Sequence, residues 1–260
     1  MNAQLQDRTA IVWGGAGDIG STTAKAFAEA GAKVYLAGRT EATLAARSEE
    51  VGAAGHGVVD VLDEDAVVAF VERVVAETGS LDISFNVADR GDIQGQALLE
   101  ISAADYTQPV VRGIAGGFHT ARAAARQMVA QGHGVVLALD SGSARGSAPG
   151  MGGTSAADGA LDALVRDLAA EVGPSGVRVV GIWTAGITET FTAEKFERVL
   201  GTLLPEEALA GIRENLDGMR MTKRSPRLKE VADTATFLAS DGAGAITGTW
   251  LNVTSGMYPS

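Results

Sequence analysis

Two short stretches carry most of the side chains that could do chemistry. Leu139-Asp140-Ser141 sets a carboxylate beside a hydroxyl, and thirteen residues after Ser141 the run Thr154-Ser155-Ala156-Ala157-Asp158 supplies a second hydroxyl and a second carboxylate. Carboxylates can take up a proton or stabilise a positive charge, whereas an aliphatic hydroxyl is far less acidic than a phenol of pKa about 10. The set therefore suits a cationic centre better than a developing oxyanion. Plainer roles fit the same residues: Thr154 as a helix N-cap, Asp158 as a first-turn acid favoured by the helix dipole, and Asp140 as a strand-end carboxylate bonded to backbone amides.

A third stretch, Trp13-Gly14-Gly15-Ala16-Gly17-Asp18-Ile19-Gly20, lies between a strand-like run and the helix-like TTAKAFAEAGA. Glycines here allow a tight turn and a close backbone approach to a pyrophosphate, whose charge would face the helix N-terminus. The next strand ends in Gly38-Arg39-Thr40. An acidic residue at that strand end would bind the ribose 2′-hydroxyl of NAD, whereas Arg39 can pair with the 2′-phosphate of NADP, so NADP(H) is the expected cofactor and NAD is disfavoured. Asp18 and Asp89 add negative charge close to that polyanion. His56, His119 and His133 have no motif spacing, and the aspartates at 18, 89, 140 and 158 lack the regular spacing of a hard-metal site, so no metal is expected.

These residues need a scaffold, and the β-branched runs supply one. Strands are expected at Thr9 to Trp13, Lys33 to Ala37, Gly57 to Val61, Ile83 to Val87, Gly134 to Leu139, Arg178 to Trp183 and Trp250 to Val253, alternating with helix-like stretches. That pattern predicts an α/β fold, a doubly wound seven-stranded parallel sheet of Rossmann type with helices on both faces, as a single domain over 1–260. The longest irregular insertion, about 186–223, follows the sixth strand and carries Phe191, Phe196, Leu203, Leu204 and Met219; such long loops are usually functional. With 260 residues, 46% hydrophobic and 34 glycines, the chain suits closely packed helix-on-sheet layers. A net charge of -11 argues against nucleic acid and anionic membranes as partners. There is no cysteine, no basic leader and no apolar run of membrane-spanning length, which makes a cytoplasmic protein the expectation.

The segment 161–180, LDALVRDLAAEVGPSGVRVV, resembles the active-site helix and following strand of the short-chain dehydrogenase/reductase family, and the likeness runs through EVADTATFLASDGAGAITG (230–248) to Gly256. In that family the helix begins Tyr-x-x-x-Lys, the tyrosine delivering the proton in carbonyl reduction and the lysine lowering its pKa and holding the nicotinamide ribose. Here those positions are Thr154 and Asp158. The family's active-site asparagine falls on Gly113, in GIAGGF (113–118), and its serine on Ser141, so Ser141 alone is retained. The resemblance further implies a phosphate loop at Gly14 to Gly20, with Asp18 at the middle glycine of one register and Gly14, Gly17 and Gly20 all fitting the other. It implies an adenine bracket at Asp60-Val61, cofactor contacts at Asn86 and Ala88 within Asn86-Val87-Ala88-Asp89, a carboxamide neighbour at Ile187, and a substrate lid at about 186–223. It also implies a homo-oligomer, a tetramer or dimer, paired through helices at about Pro109 to Ala130 and Thr154 to Val172.

The reading that follows is a divergent NADP(H)-dependent oxidoreductase with an atypical site, acting on a small molecule, for which an iminium or other cationic acceptor is suited because hydride addition to a cation needs no proton donor. The alternatives are a redox-neutral cyclase, isomerase or lyase, and a non-catalytic member of the family.

Overall fold

The computed structural model describes residues 4–146 and 148–258. Seven strands form one parallel sheet in the order β3-β2-β1-β4-β5-β6-β7. They are β1 (Thr9–Trp13), β2 (Lys33–Gly38), β3 (Gly55–Val58), β4 (Ile83–Asn86), β5 (Gly134–Asp140), β6 (Val177–Trp183) and β7 (Thr249–Asn252). The order reverses at β1, with β2 on one side and β4 on the other, and this switch point is where ligands enter such sheets. Helices α1 (Asp18–Glu29), α2 (Glu41–Val51) and α8 (Leu228–Ala239) cover one face, while α3 (Glu64–Thr78), α4 (Ala103–Gln131) and α5 (Thr154–Val172) cover the other.

Strand alternation divides the core between these faces. Ala10 and Val12 of β1 pack with Phe27, Leu36 and Leu238, whereas Ile11 and Trp13 pack with Phe70, Ala124 and Val165. Trp13 is fully buried on the second face, its indole N–H donating to Ser84 Oγ at 3.0 Å. It therefore stands inside the α3/α4 layer and leaves the glycine loop clear.

Local sequence explains where the elements depart from expectation. Helix α4 begins six residues before the expected Pro109, because Ser102 caps it through the Asp105 amide at 3.0 Å and the proline is accommodated inside the helix. Strand β3 sits earlier than expected: pairing with β2 ends at Gly38↔Val58, after which Asp60 Oδ1 accepts from the Leu62 amide and turns the chain away. The segment expected to be irregular holds two helices, α6 (Ala193–Leu200) and α7 (Glu206–Met219). Its ends are joined by Arg220, whose fully buried guanidinium donates to the carbonyls of Ala185 at 2.5 Å and Leu216 at 2.6 Å. Helix α5 spans Thr154–Val172, as its sequence pattern suggests.

Candidate active site

The carboxyl ends of β1, β2 and β4 open onto a cavity of about 560 Å³. At Gly14, φ is +79° and a Cβ would stand 2.8 Å from the Ala88 backbone; at Gly20 a Cβ would meet the Gly14 carbonyl oxygen at 2.3 Å. Both glycines are thus demanded by the turn itself. Gly17 is different. The Gly14 oxygen at 3.4 Å is all that its missing side chain would meet, so its bareness leaves the N-cap of α1 open to a ligand.

Of the residues expected to hold a dinucleotide, Gly14, Gly17, Asp18, Arg39, Thr40, Asp60, Val61, Asn86 and Ala88 all line this cavity. Arg39 is exposed and has no hydrogen-bond or ion-pair partner among the described residues. Asn86 is fixed by Thr120 Oγ1 at 3.0 Å and by the Ala88 amide at 2.9 Å. Asp18 pairs with Lys195 of α6. Ile19, Gly20 and Ile187 stand back from the cavity: Gly20 supports the turn, Ile19 packs against the core, and Ile187 is 4% exposed within it. The glycine cradle and the unpaired arginine fit a dinucleotide carrying a 2′-phosphate.

None of Asp140, Ser141, Thr154 and Asp158 lines that cavity; they lie behind it in a polar network. Asp158 is fully buried. Its Oδ1 accepts from Arg90 Nη2 at 2.7 Å, and its Oδ2 accepts from Ser141 Oγ at 2.5 Å, Ser143 Oγ at 2.8 Å and the Ser143 amide at 3.0 Å. Thr154, 2% exposed, donates to Asp92 Oδ1 at 3.1 Å and accepts from Gln94 Nε2 at 3.0 Å. The plainer sequence readings are corrected by this geometry. Gly153, not Thr154, is the N-cap of α5, and Asp158 lies past the first turn, facing inward instead of toward the helix dipole.

Asp140 follows Val136 and Ala138 on the α5 side of β5 and is 5% exposed. Its Oδ1 accepts from the Gly142 amide at 2.7 Å, and its Oδ2 is buried without a partner. Burial, and then the nearby Asp158 carboxylate, push this carboxyl up to about 9. At neutral pH Asp140 is the protonated acid, and only one of its oxygens has the amide bond expected of a strand-end residue.

Sequence reasoning missed Arg90. It follows Asn86-Val87-Ala88-Asp89 directly, lines the cavity, and donates from Nε to both oxygens of Asp92 at 3.0 and 3.1 Å as well as to Asp158. These bonds use Nε and Nη2 of the guanidinium. The available signal was the carboxylate at Asp158 together with the bare Gly113 in the expected alignment, which call for a cation crossing the gap. The carboxylate exposed to the cavity at this end is Asp89. Among the described residues no group of three His, Cys, Asp or Glu is placed to hold a metal, and no helix is long and apolar enough to cross a membrane.

Comparison with known proteins places the chain among reductases and dehydrogenases. The family profile described as Enoyl-(Acyl carrier protein) reductase matches residues 14–258. The chain is 31% identical over 262 residues to the 3-oxoacyl-[acyl-carrier-protein] reductase FabG of Chlamydia trachomatis, covering 99% of this chain and 100% of that one. It is 31% identical to secoisolariciresinol dehydrogenase of Forsythia intermedia, covering 94% and 87%. Among solved structures it is similar to levodione reductase, with a TM-score of 0.87 at 26% identity over 96% of this chain and 97% of that one. The fold is also that of NAD+-bound xylitol dehydrogenase, with a TM-score of 0.86 at 24% identity over 97% and 100%.

Proposed function

The chain belongs to the short-chain dehydrogenase/reductase family, and on that premise we propose that it is an NADP(H)-dependent oxidoreductase whose acceptor takes hydride without a proton from the enzyme. One observation carries this reading: the hydroxyls of Ser141 and Thr154 both point inward, Ser141 donating to Asp158 and Thr154 to Asp92, so neither holds a proton for a substrate. A dinucleotide bound in the cleft would supply or take up the hydride. Arg39 would hold its 2′-phosphate, Asp60 and Val61 its adenine end, and Arg90, which lines the cavity, the ribose that the family's lysine holds. An iminium or similar cation suits such a site, because Asp89 lines the cavity at the β4 exit and hydride addition to a cation leaves no oxyanion to protonate. Asp158 is not the stabilising group, since its oxygens are already occupied by Arg90, Ser141 and Ser143.

The segment 186–223 is proposed as the lid, and α4 and α5 as the surfaces of a homo-oligomer. The test is NADPH consumption with a panel of cyclic iminium compounds against a panel of simple ketones. Turnover of iminium with ketone rates below about 1 s⁻¹, the lower end of ordinary enzyme rates, is the expected result; faster ketone turnover overturns it. A non-catalytic role is the second reading, favoured by the burial of Thr154 beneath Asp92 and Gln94, and inertness toward both panels despite cofactor binding selects it.

A further inference from the structure

Asp18 is the first residue of α1 and follows the open N-cap Gly17. A carboxylate there is favoured by the helix dipole, yet for the same reason it competes with a pyrophosphate for that end of the helix. The structure places a cation on it. Lys195 Nζ lies 2.5 Å from Asp18 Oδ2, reaching across from α6, and both residues line the cavity that Gly14 and Gly17 open onto. The lysine is delivered by a braced segment. Thr192 caps α6 through the Lys195 amide at 3.3 Å, Phe191 and Phe196 meet edge to face at 5.2 Å, and Arg213 donates to the Phe191 carbonyl at 2.7 Å.

We infer that Lys195 belongs to the dinucleotide site as the counter-charge that makes an acidic phosphate loop compatible with a pyrophosphate, so that α6 is tied to the loop at the ligand. The pair is about one-third exposed on each side, so its worth as a surface salt bridge is small. Its significance lies in charge at the loop: with Lys195 the Asp18 position is neutral, and without it a free carboxylate faces the pyrophosphate.

The inference rests on the nucleotide-binding reading above, and a binding cycle separates the two. NADPH is titrated calorimetrically into the parent protein, Lys195→Met, Asp18→Gly and the double variant, with melting curves to establish that each is folded. Lys195→Met is expected to raise the Kd at least tenfold, Asp18→Gly to leave it equal or lower, and the double variant to recover most of the loss. Unchanged affinity in Lys195→Met, or the same loss with Gly at position 18, overturns the counter-charge role while leaving the nucleotide reading intact. Failure of the parent protein to bind NADPH overturns both.

Discussion

Arg90, at the cavity wall, and the buried Asp158 form an ion pair that crosses the space left empty at Gly113. The guanidinium lies 2.7 Å from the carboxylate, and a Cβ at Gly113 would stand 3.0 Å from Arg90 Cδ. If Gly113 and Asp158 take the places of the family's asparagine and lysine, as proposed, Arg90 from the β4 exit compensates both changes, filling the space at Gly113 and pairing with Asp158.

Asp158→Asn is expected to destabilise the fold, because an amide nitrogen cannot accept from Ser141 and Ser143 and the charge opposite Arg90 disappears. Arg90 keeps Asp92, so the cost is that of unsatisfied buried hydroxyls and amide, about 1–3 kcal/mol, a fall in Tm on the order of 5 °C at roughly 2–4 °C per kcal/mol. Differential scanning calorimetry checks this, and a Tm within about 2 °C of the parent contradicts it.

Asp140 makes stability depend on pH in a defined direction. Its folded carboxyl, pushed up to about 9 by burial and by Asp158, keeps a proton that the unfolded chain releases above its ordinary value of 3.8. The contribution is complete below that ordinary value and is lost as pH rises toward about 9. Asp140→Asn keeps the acceptor for the Gly142 amide and removes the titration. Melting curves should show a gain of about 1 kcal/mol or more at pH 8 and little change at pH 4, and equal shifts at both would contradict the assignment.

The sheet was legible because burial on both faces writes a parallel strand as a continuous apolar run, as TAIVW does in β1. The glycine cradle was legible because only glycine meets its contacts. The β3 boundary was not, since Val59 and Val61 look like strand but the Asp60 turn ends the pairing at Val58. Arg90 and Lys195 escaped notice because their meaning lies in partners 68 and 177 residues away. Thr154 and Asp158 were correctly placed on one helix, but their inward orientation follows from the Arg90, Asp92 and Gln94 loop, which no local pattern encodes.

The outer face of α4 carries exposed apolar side chains suited to the self-association proposed above. Tyr106, Val111 and Phe118 are exposed on α4. Light scattering at micromolar concentration should report a dimer or tetramer, and Phe118→Glu should shift it toward monomer by placing a charge in the interface core. A monomeric parent protein contradicts the expectation.

The central claim is a dinucleotide site selective for the 2′-phosphate, and calorimetric titration with NADPH and NADH tests it most directly. Arg39 is the exposed cation at the end of β2, without a partner among the described residues, so NADPH should bind at least tenfold tighter than NADH, about 1.4 kcal/mol, with Arg39→Asp narrowing or reversing the gap. Equal affinities in the parent protein, or binding of neither nucleotide, would contradict the account.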